Sequence, residues 1–130
     1  MKKIYRFNIT LFLFLFTIMS WGQDINWVTL DDVPDQSDKY VFVIWTADWC
    51  APCQRFRKVL NENAEILNKY YYPVKFVVNK EWDNVRDDIE SIPIVRLYNF
   101  EDGRFKFVEE FDGEYDDENT KIILNYYKGK

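Results

Sequence analysis

Apolar and polar positions follow two different rhythms along this chain, and the changes of rhythm divide it into elements. After a short apolar piece over residues 27–30 comes a polar connection, 31–39, which contains Pro34. Residues 40–45, Tyr-Val-Phe-Val-Ile-Trp, are apolar without interruption and rich in β-branched and aromatic side chains. A strand covered on both faces has this composition. Over residues 52–70 the period lengthens: Phe56, Val59, Leu60, Ile66, Leu67 and Tyr70 recur at helical spacing, with Arg57, Lys58, Glu62 and Glu65 between them. Asp48, just upstream, is placed to satisfy free amides of the first turn, and the run Tyr70-Tyr71-Tyr72 is placed to close the helix against the core. Residues 74–78 predict a second strand behind the breaker Pro73, and residues 94–98 a third. Between them Trp82, Val85 and Ile89, at i, i+3 and i+7, predict a short amphipathic helix. Asp102-Gly103 signals a hairpin. Residues 105–111 alternate imperfectly as its return strand, Gly113 ends it, and Ile122, Ile123, Tyr126 and Tyr127 mark a closing helix.

The order strand, helix, strand, helix, strand, strand, helix predicts an α/β domain. Parallel pairing through right-handed crossovers is expected where helices intervene, with an antiparallel edge from the hairpin. A central mixed sheet flanked by helices results. Residues 1–22 stand apart from it. Lys2, Lys3 and Arg6 make a basic start, residues 9–19 are apolar apart from Thr10 and Thr17, and Ser20 and Gly22 put small residues ahead of Gln23. A secretory signal peptide has this layout. The apolar run falls short of the roughly 20 residues that cross a bilayer. Cleavage ahead of Gln23 is therefore expected, with retention as a membrane anchor the alternative. Residues 23–130 form one domain in this reading.

Apolar residues make up 48% of the chain and aromatics 19%, enough for a packed core. The net charge is −5, and loss of residues 1–22 makes it more negative. A nucleic-acid backbone would be repelled, and no basic stripe offsets this, so nucleic acid is not expected as a partner. The acidic runs Asp31-Asp32, Asp87-Asp88 and Asp116-Asp117-Glu118 read as solvated surface and helix-start charge rather than a cation site.

The two cysteines, Cys50 and Cys53, sit where the first buried strand hands over to a helix. There Cys50 meets unpaired amides and the positive end of the helix dipole, both of which favour thiolate over thiol. A free cysteine titrates near 8.5, whereas Cys-X-X-Cys pairs at helix starts reach about 3.5–7.5. Cys53 lies one turn later, placed to attack a mixed disulfide formed at Cys50. Counting removes rival uses of the pair. Zinc and iron–sulfur sites want four ligands, and this chain has two cysteines and no histidine. Attached haem needs histidine straight after the second cysteine, where Gln54 stands. A histidine-based cysteine peptidase is excluded in the same way. No metal or other cofactor is expected. A structural disulfide closing so short a loop would stabilise little.

Val41-Phe42-Val43-Ile44-Trp45-Thr46-Ala47-Asp48-Trp49-Cys50-Ala51-Pro52-Cys53 resembles the strand and Trp-Cys-Gly-Pro-Cys motif of the thioredoxin family. Ser91-Ile92-Pro93-Ile94 is similar to the segment around that family's cis-proline. The resemblance covers roughly residues 27–130 and implies a thioredoxin-like fold. It implies a cis Ile92–Pro93 bond packed beside the cysteine pair, with Ile92 and Pro93 contacting substrate. It also implies that Trp49 forms part of an apolar rim around Cys50, with Ala51 and Pro52 beside it. Two departures stand out: Ala51 replaces glycine, and Ile44 stands where thioredoxins keep a buried acidic residue that helps deprotonate the second cysteine.

The resemblance implies thiol–disulfide exchange with disulfide-containing protein substrates. Ala51-Pro52 between the cysteines and Ile92 before the proline look like reducing members, so a periplasmic or secreted reductase is expected, supplied with electrons by a membrane thiol donor and acting as a monomer. A disulfide oxidant or isomerase using the same pair is the alternative within enzymes. A non-catalytic thioredoxin-fold interaction module is the alternative outside them.

Overall fold

The computed structural model describes residues 23–113 and 116–129, so the export segment read over residues 1–22 lies outside the described residues. A single turn of 3-10 helix, Leu30–Asp32, precedes strand β1, Tyr40–Thr46. Helix α1, Ala51–Glu62, and helix α2, Ala64–Tyr70, lead into β2, Tyr71–Val77. Strands β3, Ile94–Glu101, and β4, Arg104–Asp112, form a hairpin, and helix α3, Asp117–Tyr127, follows. The sheet order is β2-β1-β3-β4, with β1 at the centre of the domain and buried along almost its whole length.

β1 serves two cores because its side chains alternate between faces. Phe42 and Ile44 join Phe56, Leu60, Leu67, Tyr71, Val95, Leu97, Phe111 and Leu124 beneath the three helices. Val41, Val43 and Trp45 join Val33, Val74, Val78, Ile89 and Phe100 on the opposite face. β1 pairs parallel with β2, as the intervening helices require, with Val43 opposite Val74. β3 runs antiparallel to β1, with Ile44 opposite Val95, which corrects the parallel pairing expected there. The cause is local: residues 78–93 form turns, not the short helix that the spacing predicts.

The side chains behind that prediction do face inward together, since Ile89 is buried in the second core with Trp82 and Val85 against it. What prevents the helix is competition from side chains. Asn84 Oδ1 takes the Asn79 amide at 3.0 Å, Asn84 Nδ2 donates to Val77 O at 2.9 Å, and the Asp83 amide donates to Asn79 Oδ1 at 3.2 Å. Asparagine and aspartate bond nearby backbone in this way and favour turns over helix. Trp82 itself lies in the left-handed region, at φ 58°. The loop is also tied to the sheet: Arg96 donates to Asp88 at 2.7 Å and to Glu110 at 2.6 Å, with its guanidinium over the Trp45 ring.

Three smaller differences have equally local reasons. The helix predicted over 52–70 is divided at Asn63, whose buried amide donates to Val59 O at 2.7 Å and to Asp117 Oδ1 at 2.9 Å. β2 starts at Tyr71, so only Tyr70 of the tyrosine run belongs to a helix and Pro73 lies within a strand. Pro73 is tolerated because β2 is an edge strand; its outward carbonyl accepts from Val28 N–H at 2.8 Å. A register shift between Leu97 and Tyr98 explains the broken alternation in β4. Before it Phe105 and Phe107 lie against Tyr98, and beyond it Phe111 turns to Phe42 on the other face. The hairpin turns at Asp102 and Gly103, both at positive φ, as a two-residue turn of this hand requires.

The clamp on the loop titrates. Hydrogen bonds from Arg96 and then Arg86 hold the Asp88 carboxyl at about 2, below its usual 3.8. A depressed carboxyl contributes stability above its unfolded pKa and loses it as pH falls through the folded value. Asp88→Asn is therefore expected to lower the urea midpoint at neutral pH, and the gap from the unsubstituted chain should close between about pH 4 and pH 2. The effect should be small, because Asp88 is well exposed.

Candidate active site

β1 ends at Thr46, and the chain turns through Ala47, Asp48 and Trp49 before Cys50 becomes the N-cap of α1. Cys50 takes extended angles, φ −97° and ψ 114°, and its Sγ accepts a hydrogen bond from Cys53 N–H at 3.2 Å. Ala51 and Pro52 open the helix. Proline is well suited there, because its missing N–H would have had no partner in the first turn. The cap was expected of Asp48; it belongs to Cys50 itself. Asp48 instead pairs with Arg57 at 2.6 Å out in solvent, and its backbone carbonyl accepts from Gln54 Nε2 at 2.7 Å.

Cys50 and Cys53 are joined in a disulfide, with Cα atoms 5.2 Å apart. Cys50 is the more accessible partner, 7% exposed against 1% for Cys53. The Ile92–Pro93 peptide bond is cis. Ile92 O lies 3.8 Å from Cys50 Sγ, and the Ile92 side chain packs on the cluster of Ala47, Cys50 and Cys53. The fold thus brings Trp49, Cys50, Ala51, Pro52, Cys53, Ile92 and Pro93 to one end of the sheet. Trp49 is 42% exposed, so it is not a core tryptophan. Its Nε1 donates to Val78 O at 3.1 Å.

Behind Cys53 lies a cavity of about 90 Å³, lined by Ile44, Thr46, Arg57, Asn61, Lys75 and Trp27 among others. No lining residue carries a carboxylate. Among the described residues no group of histidine, cysteine, aspartate and glutamate could hold a metal ion. Such a pair can pass electrons as thiol and disulfide, with an amide-stabilised sulfur outermost and a second sulfur one turn behind it.

Two residues at the site escaped the sequence reading. The sequence pattern marks Gly113 only as the end of a strand, but its N–H donates to Pro93 O at 3.0 Å. A Cβ there would meet Pro93 Cγ at 2.5 Å and Phe56 Cδ2 at 2.9 Å. No periodicity marks such a close approach; only the glycine itself hints at it. The spacing of Trp82 predicts a place on a helix face, yet its ring meets Trp49 edge to face with centroids 6.3 Å apart.

The family model for thioredoxin-like proteins matches residues 32–99. A curated relative, the chloroplastic thioredoxin Y2 of Arabidopsis thaliana, is 36% identical over 86 residues, which is 65% of this chain and 49% of the relative. The chain therefore spans about half the length of that relative. The structure of Trichomonas vaginalis thioredoxin superposes with a TM-score of 0.57 and 28% identity, covering 69% of this chain and 80% of its own. A thioredoxin from Thermus thermophilus shares the fold, with a TM-score of 0.65 at 15% identity over 80% of this chain and 87% of its own. This chain belongs to the thioredoxin-like family.

Gly113→Ala should force Pro93 or Phe56 aside. Overpacking of this kind costs about 1–3 kcal/mol, which chemical denaturation of the variant against the unsubstituted chain would measure.

Proposed function

We propose that this chain is a thiol–disulfide oxidoreductase that reduces protein disulfides outside the cytoplasm, with Cys50 as the nucleophile and Cys53 as the resolving thiol. In the reduced form the Cys50 thiolate attacks one sulfur of a substrate disulfide. That S–S bond breaks, its other sulfur leaves as a thiolate that takes a proton from solvent, and the first stays bonded to Cys50. Cys53 then loses its proton and attacks Cys50 Sγ, which closes the Cys50–Cys53 bond and releases the second substrate sulfur as a thiolate. Two electrons have passed to the substrate. The proton of Cys53 leaves through the cavity behind it, which carries Thr46, Arg57, Asn61 and Lys75 among its lining and has room for water. Ile92 lines the approach to Cys50, with the buried Pro93 behind it, and the exposed ring of Trp49 forms its rim.

The observation that carries the direction is the sparse support around Cys50 Sγ. Among the described residues it accepts a hydrogen bond from Cys53 N–H and from no side chain, and the chain has no histidine. Strong oxidants have a dithiol form that is heavily stabilised; where stabilisation is light, the pair gives electrons up readily. The basic, then apolar, then small-residue order of residues 1–22 supports export. A membrane thiol donor would return the disulfide to the dithiol, and the domain would work as a monomer.

Reduction of insulin by the chain in the presence of dithiothreitol is the direct test. Cys50→Ser should abolish it, and Cys53→Ser should accumulate mixed disulfides at Cys50. A midpoint potential below about −180 mV is expected, and one above it would overturn the reductive direction. N-terminal sequencing of protein recovered outside the cytoplasm should begin at Gln23.

A further inference from the structure

Cys50 lies at the end of β1, between the loop that follows β2 and the start of β3. On the β3 side stand Ile92 and Pro93. On the β2 side stands Trp82, half-buried, with its ring against the exposed ring of Trp49. The backbone that presents Trp82 is unusual for so large a side chain, since φ is 58°. A left-handed position is ordinarily filled by glycine or asparagine. Here it is enforced by its surroundings: Trp82 N–H donates to Asn79 O at 3.2 Å, and the side chains of Asn79, Asp83 and Asn84 close the turn around it. Such a conformation persists where the surrounding structure over-determines it. The immediate result is to lay an indole beside Trp49, one residue from the reactive sulfur.

Resting on the oxidoreductase reading, we infer that Trp82 is a specificity-determining residue. With Trp49 it forms an aromatic wall opposite Ile92 and Pro93, and this wall selects disulfides whose cysteine is flanked by a large apolar or aromatic side chain. The Trp49 ring is anchored through Nε1 to Val78 O, so the wall is fixed before substrate arrives. Rings held in this way offer a large contact area with little ordering left to do on binding.

The test uses two disulfide peptides that differ only in the residue beside the cysteine, Phe or Ser, together with bis(hydroxyethyl) disulfide, which carries no flanking side chain for the wall to select. The unsubstituted chain should favour the Phe peptide by about 2–10-fold, the size of an aromatic contact, and chiefly through KM. Trp82→Asn keeps a residue that tolerates the left-handed backbone and should bring the two peptides level. Trp82→Phe should retain most of the preference. All three proteins should reduce the small disulfide at one rate. The inference is overturned if Trp82→Asn keeps the full preference, or if it slows the small disulfide as much as the peptides. A wild-type chain that reduces insulin but treats both peptides alike overturns it too, and leaves the oxidoreductase reading standing. A wild-type chain that reduces no disulfide at all removes that reading and this one with it.

Discussion

The Cys53 amide donates to Cys50 Sγ across 3.2 Å, and the conditions for that contact come from different parts of the chain. One is a strand so thoroughly apolar that it is buried on both faces and stops at a fixed place, with Thr46 as its last residue. The other is a helix whose first turn is set by Pro52 and whose inner face, Cys53, Phe56 and Leu60, is anchored under the sheet. Neither element could shift along the other without exposing a row of core side chains. The positive end of α1 is therefore held against one sulfur. The cis Ile92–Pro93 bond and Gly113 complete the arrangement from β3 and from the end of β4, two strands that meet the motif only after folding.

The cysteine pair, the buried strand and the closing hairpin were legible in the sequence because each is written in consecutive residues. β1 is a continuous apolar run, the Cys-X-X-Cys pair fixes its own spacing, and Asp102-Gly103 meets a turn that needs two positive φ angles. The direction of β3 was not legible, because it depends on whether residues 78–93 make a helix. Trp82, Val85 and Ile89 have helical spacing and do point to one core, so the pattern reported burial faithfully. It could not report that Asn79 and Asn84 spend their side chains on the backbone, which is a three-dimensional fact. The contribution of Gly113 was hidden for a similar reason, since its neighbours Pro93 and Phe56 are distant in sequence.

The two faces of the sheet are covered in different ways, and the site inherits the difference. Helices α1, α2 and α3 seal the face that holds Phe42 and Ile44. The other face, with Val43 and Trp45, is covered by loops. A loop has no internal ladder to hold it, so this one is fastened from outside by Arg96 through Asp88 and by Ile89 in the core. Freedom from helical geometry is what allows Trp82 to sit at positive φ beside Trp49. There its ring packs partly on the second core and partly against Trp49 at the rim of the active site.

Ile44 removes a carboxylate from behind Cys53, and the cations around the same cavity do not take its place. Lys75, opposite Ile44 on β2, holds its ammonium over the Trp27 ring, and Arg57 is paired with Asp48. Each therefore already has a partner other than sulfur. Among the described residues that line this cavity, none offers a carboxylate to the Cys53 sulfur. In the proposed reaction a Cys53 thiol would pass its proton to water in the cavity. A lightly stabilised dithiol is the better electron donor. In the reductase reading proposed above, the same absence of a carboxylate that leaves Cys53 to water also keeps the dithiol lightly stabilised, the state from which electrons pass most readily to a substrate.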